Sequence, residues 1–176
     1  MFVCQYYDNP KLIEVIRLLI SSGVDINVKS NRNWNVLHTV CAYYSRENLI
    51  DIIRLLIQSG VDVKTKTNDN WNALLLVSNY YSHENLVDIV RLLIESGVDV
   101  GAKTSDNWNI LHILCHYYSH ENLIEILRLL VQNGADVKAK TNDGYSALQL
   151  LNYNNKVPHK TSIIDLFVKH GSSDAH

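Results

Sequence analysis

Several features that would point early to a particular chemistry are missing from this chain. Lys and Arg number 16 against 18 Asp and Glu, for a formal net charge of -2, and nowhere do five like charges follow one another. Phosphate-rich partners require clustered cations, so this balance argues against a nucleic-acid or anionic-membrane surface. No stretch of about 18 apolar residues runs uninterrupted, and the N-terminus carries no signal-peptide pattern. Phosphate-cradling glycine loops, nucleophile elbows and metalloprotease motifs are also absent. The expectation is a soluble intracellular protein, cytoplasmic or nuclear, without a cofactor or a membrane partner.

Cysteine is scarce as well, with three in 176 residues. Cys4, Cys41 and Cys115 occupy one position of a recurring unit, where Ser78 and Asn152 stand in the other copies. Equivalent positions in stacked repeats sit about 8–10 Å apart, beyond the roughly 7 Å that a disulfide spans between Cα atoms. Reduced, packed thiols follow, as in cytosol or nucleus.

What the chain does have is a period. Trp34, Trp71, Trp108 and Tyr145 are spaced by 37, as are Gly23, Gly60, Gly97, Gly134 and Gly171, and the pairs Tyr6-Tyr7, Tyr43-Tyr44, Tyr80-Tyr81 and Tyr117-Tyr118. A fixed period decides the architecture before any single residue does. It divides the chain into a partial unit 1–30, full units 31–67, 68–104 and 105–141, and a C-terminal cap 142–176, all in one array. A hydrophobic content of 47% suffices to bury a core through it.

One unit shows the plan. Asp106 and Asn107 form a turn, and Asn109 caps a helix, as do Asn35, Asn72 and Ser146, because a short side-chain oxygen accepts from the first free N–H groups. Leu111, Leu114, Cys115 and Tyr118 then fall at i, i+3, i+4 and i+7, one buried face of an inner helix. On this reading the second tyrosines, Tyr44, Tyr81 and Tyr118, are core. Ser119 is the expected cap of a second, outer helix, with Glu121 in its first turn. Its charges are expected to pair at i+3: Glu14 with Arg17, Asp51 with Arg54, Asp88 with Arg91, Glu125 with Arg128. Gly134 stops it in the left-handed conformation, and 135–141 runs extended to the next unit. Neither helix can bury its apolar surface alone, so the units must stack into a solenoid.

This pattern resembles the ankyrin repeat. Asp143-Gly144-Tyr145-Ser146-Ala147-Leu148 and Gly134-Ala135-Asp136-Val137-Lys138-Ala139 match the family motif, and Leu37-His38 and Leu111-His112 keep its Leu-His pair. The resemblance implies an all-α helix-turn-helix solenoid with short extended or hairpin connecting loops, acting as a non-enzymatic protein-binding module. The unit is longer than the family's 33 residues by four, located around YYSHEN between the helices, which calls for a longer inner helix or a larger loop. Leu75 and Gln149 replace the histidine in two units, where its hydrogen bonds are expected to be lost. The first unit starts within the pattern, which is read as a fragment of a longer array, and Asn154–Lys160 with a helix from about Thr161 is read as a polar cap.

The resemblance also places a binding strip. Residues that face partners on the family's concave side correspond here to Trp34, Trp71, Trp108 and Tyr145, and to Tyr43, Tyr80, His116 and Tyr117. Loop tips add Lys66, Lys103 and Lys140 with Asn68, Ser105 and Asn142. Trp and Tyr are the common anchors of interfaces, yet large aromatics at one repeat position can equally stack to stabilise the array; the sequence leaves both readings open. If the strip is exposed, an extended or polyproline II segment advancing about 3.1–3.3 Å per residue would place about three residues on each repeat. The alternatives are a spacer or scaffold self-associating through the incomplete first unit, and single-stranded nucleic acid on the aromatic ladder, which the charge disfavours. His116 and His120 at i, i+4, near Glu121, have the spacing of metal ligands, but the pair does not recur and reads better as polar helix-end residues. His38 and His112 are assigned to local backbone bonds.

Overall fold

The computed structural model describes residues 11–171. Cys4, Tyr6 and Tyr7 lie outside them. The described residues form α1 (Leu12–Ser21), α2 (Val36–Tyr43), α3 (Leu49–Gln58), α4 (Ala73–Tyr80), α5 (Leu86–Glu95), α6 (Ile110–Tyr117), α7 (Leu123–Gln132), α8 (Ala147–Tyr153) and α9 (Lys160–Lys169). The even-numbered inner helices pack on one another in order, and the odd-numbered outer helices do the same. The fold is an all-α repeat solenoid of two helical layers.

The two middle inner helices, α4 and α6, are buried almost all round, because each lies between two inner neighbours and its own outer helix. In α6 every residue from Ile110 to Cys115 is buried, well beyond the single stripe that the spacing defines. Tyr44, Tyr81 and Tyr118 are each 2% exposed and belong to the core. Outer helices bury one face only, in α7 Leu123, Ile126, Leu127 and Leu130. Cys41 and Cys115 are free, buried thiols, and burial pushes both far above the usual thiol range.

Each outer helix stops at a glycine of positive φ, such as Gly134 at 92°, where a side chain would be strained. The connector turns carry a second left-handed position: Asn33, Asn70 and Asn107 at φ 60–63° and Gly144 at 83°. Asparagine substitutes there because it is the residue after glycine that best tolerates this conformation.

Three expectations are corrected. Ser119 is not a cap; Asn122 holds that position and makes no capping bond, because its side chain is engaged elsewhere. The outer-helix charges do not pair within their helix: among the described residues Arg91 instead reaches Glu125 of the next unit at 3.6 Å. Gln149 does not lose the histidine's local bond, since its Oε1 accepts from the Ser146 N–H at 2.8 Å. The four added residues enlarge the loop. Inner helices span eight residues at most, and Tyr44–Asn48 and its equivalents separate the two layers.

Candidate functional site

The N-terminal ends of the inner helices are fixed from both sides. Oδ1 of Asn109 accepts from the His112 N–H at 3.1 Å, and Nδ1 of His112 accepts from the Asn109 N–H at 3.1 Å, a reciprocal capping box. An Nδ1 that accepts leaves the proton on Nε2, which donates to the Ala139 carbonyl in the connector that ends the same unit at 3.1 Å. His38 repeats this with Asn35 and Thr65. Burial holds His112 below the ordinary imidazole range and His38 down at about 4, so both are neutral near pH 7. The cap asparagines have a further bond, from Nδ2 to a carbonyl of the connector that ends their own unit: Asn35 to Asp62, Asn72 to Asp99 and Asn109 to Asp136, at 2.8–3.0 Å.

Over these caps lies the aromatic row. Trp34, Trp71 and Trp108 are half-buried and packed on the core. Tyr43, Tyr80 and Tyr117 are 49%, 56% and 57% exposed, and Tyr145 is 40% exposed. Trp34 stacks on Tyr43 with ring centroids 5.9 Å apart, and Trp108 on Tyr117 at 6.2 Å. His116 meets Trp108 edge-on at 5.6 Å, and its Nδ1 is buried with no hydrogen-bond partner among the described residues. Beyond it opens a cleft of about 440 Å³ bordered by His116, Tyr117, Ser119, Tyr153 and Lys156. His120 instead lies against Tyr118 at 5.0 Å, and among the described residues no three His, Cys, Asp or Glu side chains converge as metal ligands would.

The loop-tip residues are tied between units. Lys66 reaches Asp99 at 2.8 Å and Lys103 reaches Asp136 at 3.4 Å, repeating Lys29 with Asp62 at 3.8 Å. The Asn68 N–H donates to the Arg32 carbonyl, Ser105 to Asp69, and Asn142 to Asp106, at 3.0–3.2 Å. Lys140 is exposed at the same position at the end of the last full unit.

A family model describing ankyrin repeats in three copies matches residues 1–104 and again 79–173. The chain belongs to the ankyrin repeat family. The ankyrin repeat is generally a protein-protein interaction module. A search of curated proteins finds no match. No helix among the described residues is long and apolar enough to cross a membrane.

Against the family's shorter unit, the enlarged loop of this ankyrin array is a second inter-repeat ladder. The Tyr81 hydroxyl lies 2.6 Å from Asn85 Oδ1 and 3.2 Å from the Arg46 carbonyl, sharing one proton between two acceptors. Tyr118 does the same with Asn122 and His83. Asn85 and Asn122 then donate to the Glu47 and Glu84 carbonyls of the preceding unit, and His83 bonds the Ser45 carbonyl. Burial raises both phenols to about 12. Sequence reasoning placed these tyrosines in the core but missed their hydroxyl bonds. The available signal was the invariant spacing of Tyr and Asn at i, i+4 in YYSHEN.

Proposed function

We propose that this ankyrin array is a non-catalytic binding module that holds an extended protein segment along Trp34, Trp71, Trp108 and Tyr145 and the tyrosines beside them. The observation that carries the reading is the exposure of Tyr43, Tyr80 and Tyr117, one per unit, each about half open to solvent. A core-stabilising aromatic has no use for that exposure, whereas a tyrosine with one wet face is suited to anchoring a partner. The half-buried tryptophans support it from below: one face packs on the core and, in two units, the other supports a tyrosine. The two sequence readings of the tryptophans are thus compatible. Because Lys29, Lys66 and Lys103 are taken up by aspartates of the next unit, the loop lysines do not line a cationic track, which argues against nucleic acid.

Peptide display on the purified chain tests this. Selected binders should be extended, and the combined variant Tyr43→Ala, Tyr80→Ala, Tyr117→Ala should lose them while its thermal midpoint stays within a few degrees. Failure to select any peptide, or binders indifferent to the three tyrosines, refutes the reading.

A second reading, self-association, rests on α1. Val15 and Leu19 are 36% and 41% exposed, whereas their equivalents Ile52 and Leu56 are buried at 0% and 1%. We propose that a second copy covers this face. Sedimentation should show a concentration-dependent dimer that Leu19→Glu abolishes; a monomer at all concentrations excludes it.

A further inference from the structure

We infer that the segment held on the aromatic row is basic, an extended peptide with Lys or Arg at about every third residue. This deepens the protein-binding reading and depends on it. Three observations carry it.

The first is a row of carboxylates in register with three of the four rings, Arg32 standing at the same place before Trp34. Asp69, Asp106 and Asp143 are exposed and stand two residues before Trp71, Trp108 and Tyr145. Each turn is rigid: the Thr67 N–H donates to the Trp71 carbonyl at 2.8 Å, the Asn70 N–H to the Thr67 carbonyl at 2.9 Å, and the Trp71 N–H to Thr67 Oγ1 at 3.1 Å. The same bonds recur at Thr104–Trp108 and Thr141–Tyr145. Each acid therefore keeps a fixed relation to its ring.

The second is that these acids are uncompensated. Lys66 and Lys103 are the nearest cations along the chain to Asp69 and Asp106, but they are drawn away to Asp99 and Asp136. No described residue forms an ion pair or hydrogen bond with the carboxylates of Asp69, Asp106 or Asp143. At the other end of the inner helices Glu47 and Glu84 are likewise exposed, without an ion-pair partner among the described residues.

The third is the pairing of chemistries. A cation over a tyrosine or tryptophan face is attracted by the ring, and the carboxylate two residues before that ring adds to the attraction. Neutral or acidic segments gain neither. Stacked repeats advance by about 8–10 Å and three polyproline II residues by about 9.3 Å, so from Trp71 onward every third side chain meets the next ring and acid.

The test uses labelled peptides of about twelve residues built from Pro-Pro-Arg, Pro-Pro-Gln or Pro-Pro-Glu triplets, read by fluorescence polarisation on the full chain. The Arg peptide should bind about tenfold or more tighter than the Gln peptide, since several exposed ion pairs of modest individual strength add. The Glu peptide should be weakest. Raising the salt, or combining Asp69→Asn, Asp106→Asn and Asp143→Asn, should bring the Arg peptide down to the Gln level. The inference is overturned by equal Arg and Gln binding, by a best-binding Glu peptide, or by tighter binding of a single-stranded oligonucleotide. It is equally overturned if the Arg preference survives the three Asn substitutions, or if Arg binding ignores the tyrosine-to-alanine variant. In the first of these outcomes, binding that still needs the tyrosines leaves the aromatic reading standing; in the last, that reading falls too.

Discussion

The hydroxyl of Tyr118 sits 2.9 Å from Oδ1 of Asn122, four residues on across the loop, and 3.1 Å from the His83 carbonyl of the preceding unit. A buried phenol thereby links its own loop to the neighbouring one. Tyr118→Phe keeps the ring and removes only that link, leaving two part-buried acceptors with one donor fewer. Losing such a bond costs about 1–2 kcal/mol. Tyr117→Phe, on the exposed neighbour, should cost less than about 0.5 kcal/mol. Urea unfolding of both variants distinguishes a stapled loop from a merely packed ring: equal midpoints would remove the staple.

Stability should fall in mild acid. His38 is held at about 4 by burial against an ordinary 6.5, so below pH 6.5 the unfolded chain takes up a proton that the folded chain resists. A depressed folded value gives stability that is complete above about 6.5 and is lost as the pH falls toward 4. Between pH 7 and pH 5 His38 alone accounts for about 2 kcal/mol, and His112, shifted the same way, adds to it. The chain itself supplies the corrective substitution. Gln149 fills this position in the last unit and keeps the capping box, so His38→Gln should lose only about 1 kcal/mol at pH 7, for the bond to the Thr65 carbonyl, and lose less between pH 7 and pH 5. An unchanged acid loss in His38→Gln would assign the titration to another group.

The cap asparagines can be dissected by size. Asn109→Ser retains an oxygen for the His112 N–H but drops the amide that reaches the Asp136 carbonyl; Asn109→Ala drops both. A cap is worth about 1 kcal/mol and a buried bond about the same, so serine should cost about 1 kcal/mol and alanine about 2. If serine and alanine proved equal in denaturant titrations, the cap would contribute nothing.

These bonds explain what could be read without coordinates. The period is visible as repetition alone, and the glycine stops, the caps at Asn35, Asn72, Asn109 and Ser146 and the buried second tyrosines follow from local rules acting within about two helical turns. The partners of Asn109 Nδ2, Asn122 Nδ2 and Lys103 lie 27, 38 and 33 residues away. No local pattern encodes such distances. Arg91 illustrates the same limit: Asp88 has the right spacing on the same helix, yet Glu125 across the repeat boundary is the group it meets. The candidate strip was legible as positions, from the family resemblance, but not the balance of burial within it. That depends on how far a tyrosine such as Tyr117 lies over its tryptophan.

That last relation gives a spectroscopic prediction. In the Trp34→Phe, Trp71→Phe background only Trp108 emits, and its ring is partly covered by Tyr117 at 6.2 Å. Removing the cover with Tyr117→Ala should raise iodide quenching of Trp108 clearly. Trp71 differs. Leu75 and Asn79 stand where Trp108 has His112 and His116, and no ring contact is formed by Trp71 among the described residues. With Trp71 as sole emitter, Tyr80→Ala should therefore leave quenching nearly unchanged. The contrast matters for the proposed binding row, where a covered tryptophan would offer its tyrosine to a partner and Trp71 its own indole. Equal responses at both sites would mean that the tyrosines do not shield the row, and that all three tryptophans meet a ligand in the same way.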